Sequence, residues 1–353
     1  MAEDQKMKDV VANVPEKELL ETVIRKSFSE YASGLRDDAA VLRLPGYGDL
    51  ILTIDKIIER PLSLDSRVSG YFEMGYFLGI INLSDLAAMG AKPLGLLVSY
   101  GLPPDFPVSG VKEMSDGLAA VCHEYDSPLL GGDVNPSASL SLVGAAVGIC
   151  KGYKPMMRCG AQKGDFIFTT GDLGLYHTAI LYFTNAKSRG MKVSRKEEQF
   201  LVEVIRKPRA SIKEGLTLAS SSMVSSCMDN SDGFAQSILT LATESRVGMH
   251  IDAAKIPLHE LTRRVASFLG IDVFDLAFAM GGEFNLVGTI KRSKMSNVDK
   301  YDFIRIVGDV FGDRKCFLRT GNKSVNIGTF DRWEHFSPGK KRIIDRIEGG
   351  LVK

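Results

Sequence analysis

The segment NLSDLAAMGAKP, from Asn82 to Pro93, decides the fold. It closes a run from Tyr71 to Met89 in which apolar residues recur at the spacing of a largely buried helix. Gly90 follows the run and Pro93 comes shortly after, an order that is typical of a helix end. Asp85 lies inside this apolar stretch, where a charge without a partner is costly. We therefore predict that Asp85 is buried or faces a cleft and meets a cation.

Strands and helices are predicted on both sides of this helix, and together they indicate an α/β fold of the α+β type. An amphipathic helix, Glu16 to Phe28, and a hairpin of Ala39 to Leu44 with Leu50 to Ile54 precede it. The elements predicted after it are a strand from Leu94 to Tyr100, a helix from about Val108 to Tyr125, a short run ending at Asp133 and a strand from Leu140 to Cys150.

A second series begins beyond the passage from Lys151 to Gly164. Its predicted strands are Asp165 to Thr170, Met223 to Met228, Gly248 to Asp252 and Phe284 to Ile290, and its predicted helices are one from near Leu173, Lys207 to Ser220 and Phe234 to Glu244. A chain of 353 residues more naturally forms two domains than one. We expect domains at residues 1–152 and 153–353.

Composition excludes several classes of partner. The 44 Lys and Arg nearly balance the 43 Asp and Glu, so no excess positive charge favours a nucleic-acid backbone. Five scattered cysteines have neither zinc-site spacing nor the pattern of a disulfide framework. No apolar stretch approaches the roughly 20 residues of a membrane span, and the first residues do not resemble a signal peptide. A cytoplasmic protein that binds neither nucleic acid nor membrane is predicted.

Aspartates beside predicted loops are the candidate chemical groups. They are Asp37 with Asp38, Asp55, Asp85, Asp133 after two glycines, and Asp232 after Ser231. Magnesium prefers hard oxygen ligands and is commonly held by carboxylates together with substrate phosphates. Phosphoryl transfer requires mainly positioning and neutralisation of phosphate oxygens, and the chain has no Gly-x-x-x-x-Gly-Lys-Ser/Thr loop to supply a lysine. Aspartates gathered from several segments therefore predict a magnesium and nucleotide site.

Each aspartate also has a structural interpretation that stays open at this point. Asp232 could cap the helix that follows it, which taken alone is the more typical role. Asp37, Asp38 and Asp133 could be turn residues. Asp85 is the exception, because neither a turn nor a cap explains an acid inside an apolar helix.

Taken in order, these segments resemble the thiamine-monophosphate kinase family. Its superfamily also contains aminoimidazole ribonucleotide synthetase, selenophosphate synthetase and a hydrogenase maturation factor. The resemblance runs from about Glu16 to Val287. The matching motifs are Asp37-Asp38-Ala39-Ala40-Val41-Leu42, Thr53-Ile54-Asp55, Asn82 to Pro93, Gly131-Gly132-Asp133, Arg158 to Asp165, Thr170 to Gly174, Ser231-Asp232-Gly233 and Gly281-Gly282-Glu283.

The resemblance implies a fold, an assembly and a set of site residues. The fold is the two-domain aminoimidazole ribonucleotide synthetase-like one, with an N-terminal domain that forms an interface barrel in a homodimer and a C-terminal α/β domain that closes over the nucleotide. The implied magnesium ligands are Asp37, Asp55, Asp85, Asp133 and Asp232. The implied ATP contacts are Asp38, Gly131, Gly132, Asp133, Arg158 and Ser231. Asp232 and Arg158 are the implied catalytic residues.

The sequence departs from the family where the acceptor is expected. Arg36 replaces the usual glycine before the paired aspartates, Ile58 to Leu62 lacks the usual histidine, and Gly281 to Leu286 is one residue short. The first prediction is nevertheless a magnesium- and ATP-dependent kinase that converts thiamine monophosphate to the diphosphate. The alternatives are a related small-molecule kinase, for example of α-ribazole, an ATP-dependent synthetase of the same superfamily, and a non-catalytic nucleotide-binding protein.

Overall fold

A computed structural model describes residues 14, 16–24, 27–28, 36–57, 66–278 and 281–330. Two β-sheets with helices packed on them make up this part of the chain. The α-helices are α1 (Glu16–Leu19), α2 (Tyr71–Ala88), α3 (Val108–Glu124), α4 (Leu175–Leu181), α5 (Arg195–Arg206), α6 (Ile212–Ser221), α7 (Phe234–Ser245), α8 (Glu260–Leu269) and α9 (Val273–Phe278). Short π-helical turns extend α1 over Leu20–Ile24 and α4 over Tyr182–Ala186.

The first sheet has five strands in the order β1-β2-β5-β3-β4. They are β1 (Ala40–Leu44), β2 (Gly48–Ile57), β3 (Lys92–Leu102), β4 (Leu129–Pro136) and β5 (Ser141–Cys150). All neighbours are antiparallel except β3 and β4. Helix α2 packs on one face of this sheet and on α3. Its contact with α3 is close, since a Cβ atom added at Gly75 would lie only 1.8 Å from the carbonyl oxygen of Met114.

The second sheet has seven strands in the order β12-β11-β8-β10-β6-β9-β7. They are β6 (Phe166–Thr169), β7 (Val224–Asp229), β8 (Gly248–Asp252), β9 (Leu286–Ile290), β10 (Arg305–Phe311), β11 (Cys316–Thr320) and β12 (Lys323–Asn326). Strand β7 is at one edge, and its last residue, Asp229, pairs with Leu286 on β9. Three 3₁₀ segments, Ala253–Lys255, Arg292–Lys300 and Ile327–Thr329, complete this part.

One of the apolar cores extends across both sheets. A single cluster of buried side chains includes Ile51 and Leu83 from the first part and Phe168, Cys227 and Leu286 from the second. The last turn of α2 packs on α6 so tightly that a Cβ atom at Gly215 would lie 2.2 Å from the Ala87 carbonyl oxygen. The turn that carries Asp85 is therefore held against the second half of the molecule.

The predicted α/β class and most predicted elements are confirmed. Helix α2 covers residues 71–88 against the predicted 71–89, and the hairpin is β1 with β2. The short run to Asp133 is a full strand, β4, and the strand predicted from Phe284 begins at Leu286. Helices α8 and α9 and strands β10 to β12 were not predicted. Residues 25 and 26, inside the predicted first helix, lie outside the described residues. Within the described part of the chain, no helix has the length and apolar character that crossing a membrane requires.

Candidate active site

Three carboxylates meet where the two sheets are joined. Asp38 lies just before β1, Asp85 lies in the last turns of α2, and Asp229 ends β7. One oxygen of each lies within 4.8 Å of the others. Asp38 and Asp229 are buried, with relative exposures of 9% and 1%. Asp85 is half-buried and lies among other acids, while its cation stays a prediction.

The cluster concentrates negative charge. Burial, followed by the charges of Asp55, Asp229 and Asp38, holds the pKa of Asp85 well above its ordinary value. Burial is also the main cause that raises the pKa of Asp38 to about 7, although the Arg158 guanidinium opposes it. Like charges at this separation disfavour one another in a site shielded from water. A proton or a cation is needed to stabilise the cluster.

Arg158 binds both members of the Asp37-Asp38 pair. Its Nη2 and Nε atoms donate to Oδ1 of Asp38 at 2.6 and 3.1 Å, and its backbone N–H donates to Oδ1 of Asp37 at 2.7 Å. The second oxygen of Asp38, Oδ2, is buried without a hydrogen-bond partner. A buried acceptor of this kind is rare and points to a missing ligand.

Hydroxyl groups orient the other two carboxylates. Ser84 donates to Oδ2 of Asp229 at 2.6 Å, and Ser231 donates to its Oδ1 at 2.7 Å. Thr53 on β2 donates to Oδ2 of Asp85. Each carboxylate oxygen keeps a further lone pair after accepting one such bond. Hard oxygen donors, excess negative charge and the orphaned Asp38 oxygen together fit a magnesium ion.

The structure brings some of the predicted site residues together. Asp38, Asp85 and Arg158 are in contact or within one cluster, and Asp37 binds Arg158. Asp55 lies on β2, and its charge acts on Asp85. Asp229 was not among the predicted site residues, although Asp229 lies in the same short run as Ser231 and Asp232. Its signal was an acid at the end of a predicted buried strand.

Asp133 lies away from the cluster. In the first sheet Asp55 pairs with Gly144, Gly144 pairs with Val98, and Val98 pairs with Gly132. Paired residues lie on the same face of a sheet, so Gly132 and not Asp133 shares the face on which Asp55 lies. Asp133 is exposed on the edge strand β4 and accepts a hydrogen bond from Asn135. Three strand spacings, about 14 Å, also separate β4 from β2. Among the described residues of one copy of the chain, the group of adjacent carboxylates is Asp38, Asp85 and Asp229 and does not include Asp133.

The second half of the chain contains a cavity of about 230 Å³. It is lined by Asp172, Leu175, Tyr176, Val204, Lys207, Pro208, Arg209, Gly282, Glu283 and Asn285. Glu283 accepts from Nδ2 of Asn230 at 3.2 Å and from the backbone N–H of Tyr176 at 3.4 Å. Since Asn230 follows Asp229 directly, this hydrogen bond links a residue that lines the cavity to the neighbour of a cluster residue. Burial raises the pKa of Glu283 to about 8, so its carboxyl group is mostly protonated at neutral pH.

The segment around Glu283 requires the two glycines that precede it. A Cβ atom at Gly281 would lie 1.5 Å from the Ser231 carbonyl oxygen, so no side chain fits there. Gly282 donates its backbone N–H to that same oxygen at 2.9 Å. Phe284 has a positive φ of 53° and packs edge-on against Phe77. This backbone turns Glu283 towards Asn230 and away from the apolar core.

Comparisons with known proteins give a consistent result. Residues 36–150 match the family model "AIR synthase related protein, N-terminal domain". The chain is 29% identical to a thiamine-monophosphate kinase of Pyrococcus abyssi, over 94% of this chain and 98% of that protein. It is 33% identical to one of Methanospirillum hungatei, over 74% and 82%. The solved structure "AaThiL complexed with AMPPCP and TMP" matches with a TM-score of 0.77 and 24% identity, over 91% of this chain and 97% of that chain.

Proposed function

The chain belongs to the thiamine-monophosphate kinase family, and from this premise we propose that it transfers the γ-phosphoryl group of ATP to thiamine monophosphate, giving thiamine diphosphate and ADP. The observation that carries the proposal is the cluster of Asp38, Asp85 and Asp229, which the hydrogen bond from Asn230 to Glu283 links to the cavity that Glu283 lines. The cluster suits a metal-bound polyphosphate, and the cavity suits an acceptor.

Asp38, Asp85 and Asp229 would hold magnesium, with Asp55 close enough to add its charge. Magnesium, when bound, neutralises charge on the phosphate oxygens of the nucleotide. Asp37 and Asp232 stay in the proposal as further metal ligands, Asp232 also as a catalytic residue, and Ser231, which bonds Asp229, as an ATP contact. Asp133 does not belong to the same ligand set within one protomer.

Arg158 supplies positive charge from the protein itself. Its guanidinium is fixed by Asp38 and its backbone by Asp37, which orients the side chain at the edge of the cluster. We place phosphate oxygens of ATP against it, because a guanidinium binds phosphate through a planar set of donors.

The transfer needs no base from the chain. A phosphate monoester oxygen of the acceptor carries negative charge at neutral pH and forms the new P–O bond itself. The bond between the γ-phosphorus and the bridging oxygen breaks, and its electron pair leaves with ADP. The residues of the cluster therefore position and neutralise, and do not remove a proton. The three described carboxylates and the absence of a histidine among them agree with this chemistry.

The acceptor is proposed to enter the cavity at Glu283. With a pKa of about 8, its carboxyl group can donate as well as accept a hydrogen bond at neutral pH. Tyr176 and Asn285 line the same space. The segment from Ile58 to Leu62, which differs from the family pattern, lies outside the described residues. The proposal for the acceptor site therefore rests on this cavity alone.

A homodimer is part of the proposal, with residues 1–152 as the dimerisation domain and 153–353 as the C-terminal domain. Four apolar side chains lie on the face of the first sheet opposite α2: Leu42, Leu52, Ile54 and Leu97, exposed by 52, 38, 70 and 39%. A contiguous apolar sheet face of this kind is typical of an interface. Ile54→Lys should give a monomer in sedimentation velocity, whereas Val108→Lys, at an apolar site on α3 that is exposed by 83%, should not.

We also propose a cytoplasmic location. All five cysteines are free thiols, three of them buried. Free thiols are usual in a reducing compartment, which is also where ATP is available.

The decisive test is a magnesium-dependent turnover assay with and without thiamine monophosphate, in which thiamine diphosphate, ADP and free phosphate are quantified separately. Thiamine diphosphate should form in step with ADP in the wild type and in Asp116→Asn, which alters an exposed acid paired with Lys112. It should be absent in Asp85→Asn. ADP with free phosphate alone would instead indicate a synthetase, and ATP binding without turnover a non-catalytic protein.

A further inference from the structure

A hydrogen bond from α2 to β7 connects the two halves of the molecule inside the candidate metal site, in addition to those that Arg158 donates to Asp37 and Asp38. Ser84 Oγ donates to Oδ2 of Asp229 at 2.6 Å, and both side chains are buried, with 0 and 1% exposure. The two residues are 145 positions apart in the sequence and belong to α2 and β7. Neither the family comparison nor the predicted site assigns a role to Ser84.

Ser84 stands next to Asp85 on α2. The helix therefore contributes one carboxylate of the cluster and also the donor that fixes another. Because Ser231 holds the second oxygen of Asp229, both oxygens of that carboxylate are bound by hydroxyl groups. A carboxylate held in this way cannot rotate freely and directs its remaining lone pairs at the space shared with Asp38 and Asp85.

We propose that Ser84 is a positioning residue, which orients Asp229 of the second half for the metal ion held between the halves. The inference rests on the proposed magnesium site but not on the identity of the acceptor. Substitution of a group that orients a metal ligand typically weakens metal affinity by about 10- to 100-fold. Loss of the Ser84 hydroxyl should therefore weaken metal binding without removing any ligand.

A purely structural role makes a different prediction. Any buried hydroxyl that satisfies a polar partner contributes to stability, whatever its position. Ser226 provides the matched control, because it is also fully buried, lies on the same strand as Asp229 and bonds Oγ1 of Thr289 at 2.8 Å. Its hydroxyl bonds no member of the cluster.

The test is a manganese titration of full-length protein without nucleotide, in which free Mn²⁺ is followed by electron paramagnetic resonance. Ser84→Ala should weaken Mn²⁺ binding by about tenfold, while Ser226→Ala should leave it unchanged even though both variants lose melting temperature in EDTA. Ser84→Thr, which keeps the hydroxyl, should restore binding.

Equal Mn²⁺ affinity in the wild type and Ser84→Ala would overturn the inference, as would an equal loss in Ser226→Ala. If the added methyl group of Ser84→Thr prevents folding, the comparison of the two alanine variants decides alone. A wild type that binds no Mn²⁺ would refute the metal site itself. A wild type that binds Mn²⁺ but does not phosphorylate thiamine monophosphate would refute the acceptor and leave the role of Ser84 intact.

Discussion

Replacing Asp85 by asparagine should stabilise the metal-free protein at alkaline pH while it abolishes turnover. The causes are the burial of the Asp85 carboxylate and its proximity to other acids, because one oxygen each of Asp38, Asp85 and Asp229 lies within 4.8 Å of the others. Two unit charges at that distance repel by about 3.5 kcal/mol at an effective dielectric constant of about 20. The wild type avoids this repulsion by retaining protons, as the raised pKa values of Asp85 and Asp38 indicate.

The sign of the pH dependence follows from these shifts. A carboxyl whose folded pKa lies above its unfolded value of 3.8 binds an extra proton in the folded state. The contribution of such a carboxyl to the stability of the folded state is complete below about pH 4 and is lost as the pH rises towards its folded pKa. Each pH unit over which only the folded state holds this proton lowers the stability by about 1.4 kcal/mol, so Asp85 makes the wild type less stable as the pH rises from 5 to 8. Asparagine carries no titrating proton and escapes that loss.

Urea unfolding in EDTA at pH 5 and pH 8 measures the effect. The stability difference between Asp85→Asn and the wild type should grow in favour of the variant from pH 5 to pH 8, and Asp116→Asn should show no such growth. Magnesium at pH 8 should then stabilise the wild type more than the variant. A difference between variant and wild type that is the same at both pH values would refute the electrostatic argument.

Two further predictions concern the neighbours of the cluster. Arg158→Met removes the cation that binds buried Asp38 and should destabilise the protein by about 3 kcal/mol at pH 8. The loss should be smaller at pH 5, because the Asp38 carboxyl, with a pKa of about 7, can take up a proton at that pH. Equal losses in urea unfolding at both pH values would contradict this prediction. Glu283→Ala should raise the KM for thiamine monophosphate by about tenfold, equivalent to one lost hydrogen bond, and leave the KM for ATP unchanged. Glu283→Gln, neutral like the protonated carboxyl, is its control and should behave as the wild type at pH 7, and a rise in the KM for ATP would place Glu283 in the nucleotide site instead.

Local patterns were sufficient to predict α2 and the unusual position of Asp85. The apolar spacing and the Gly90 stop depend only on neighbouring residues, and the helix ends within one residue of the prediction. Asp229 could not be chosen over Asp232 in the same way, because its burial depends on the pairing of β7 with β9, about 60 residues further along the chain. Long-range pairing leaves no mark within a short motif.

Asp133 shows a second limit of sequence reasoning. The register of β3 against β4 shifts by one residue between Leu96 and Leu97. Without that shift Asp133 would pair with Tyr100, a buried residue on the side of the helices; with it, Asp133 pairs with Ser99 and points to the opposite side. A single irregular residue reverses which face every later side chain of a strand occupies. The Gly-Gly-Asp motif alone gives no sign of the irregularity.

The tight contact between Gly215 and Ala87, together with the core that both sheets share, has a consequence for affinity. The three carboxylates are brought together when the chain folds, and they are kept together by packing that a ligand does not have to create. Little conformational entropy is therefore lost at these segments when a cation arrives, since they are preorganised. The repulsion between the carboxylates therefore lowers the free energy of unfolding of the metal-free protein. The same negative charges attract a cation when it binds.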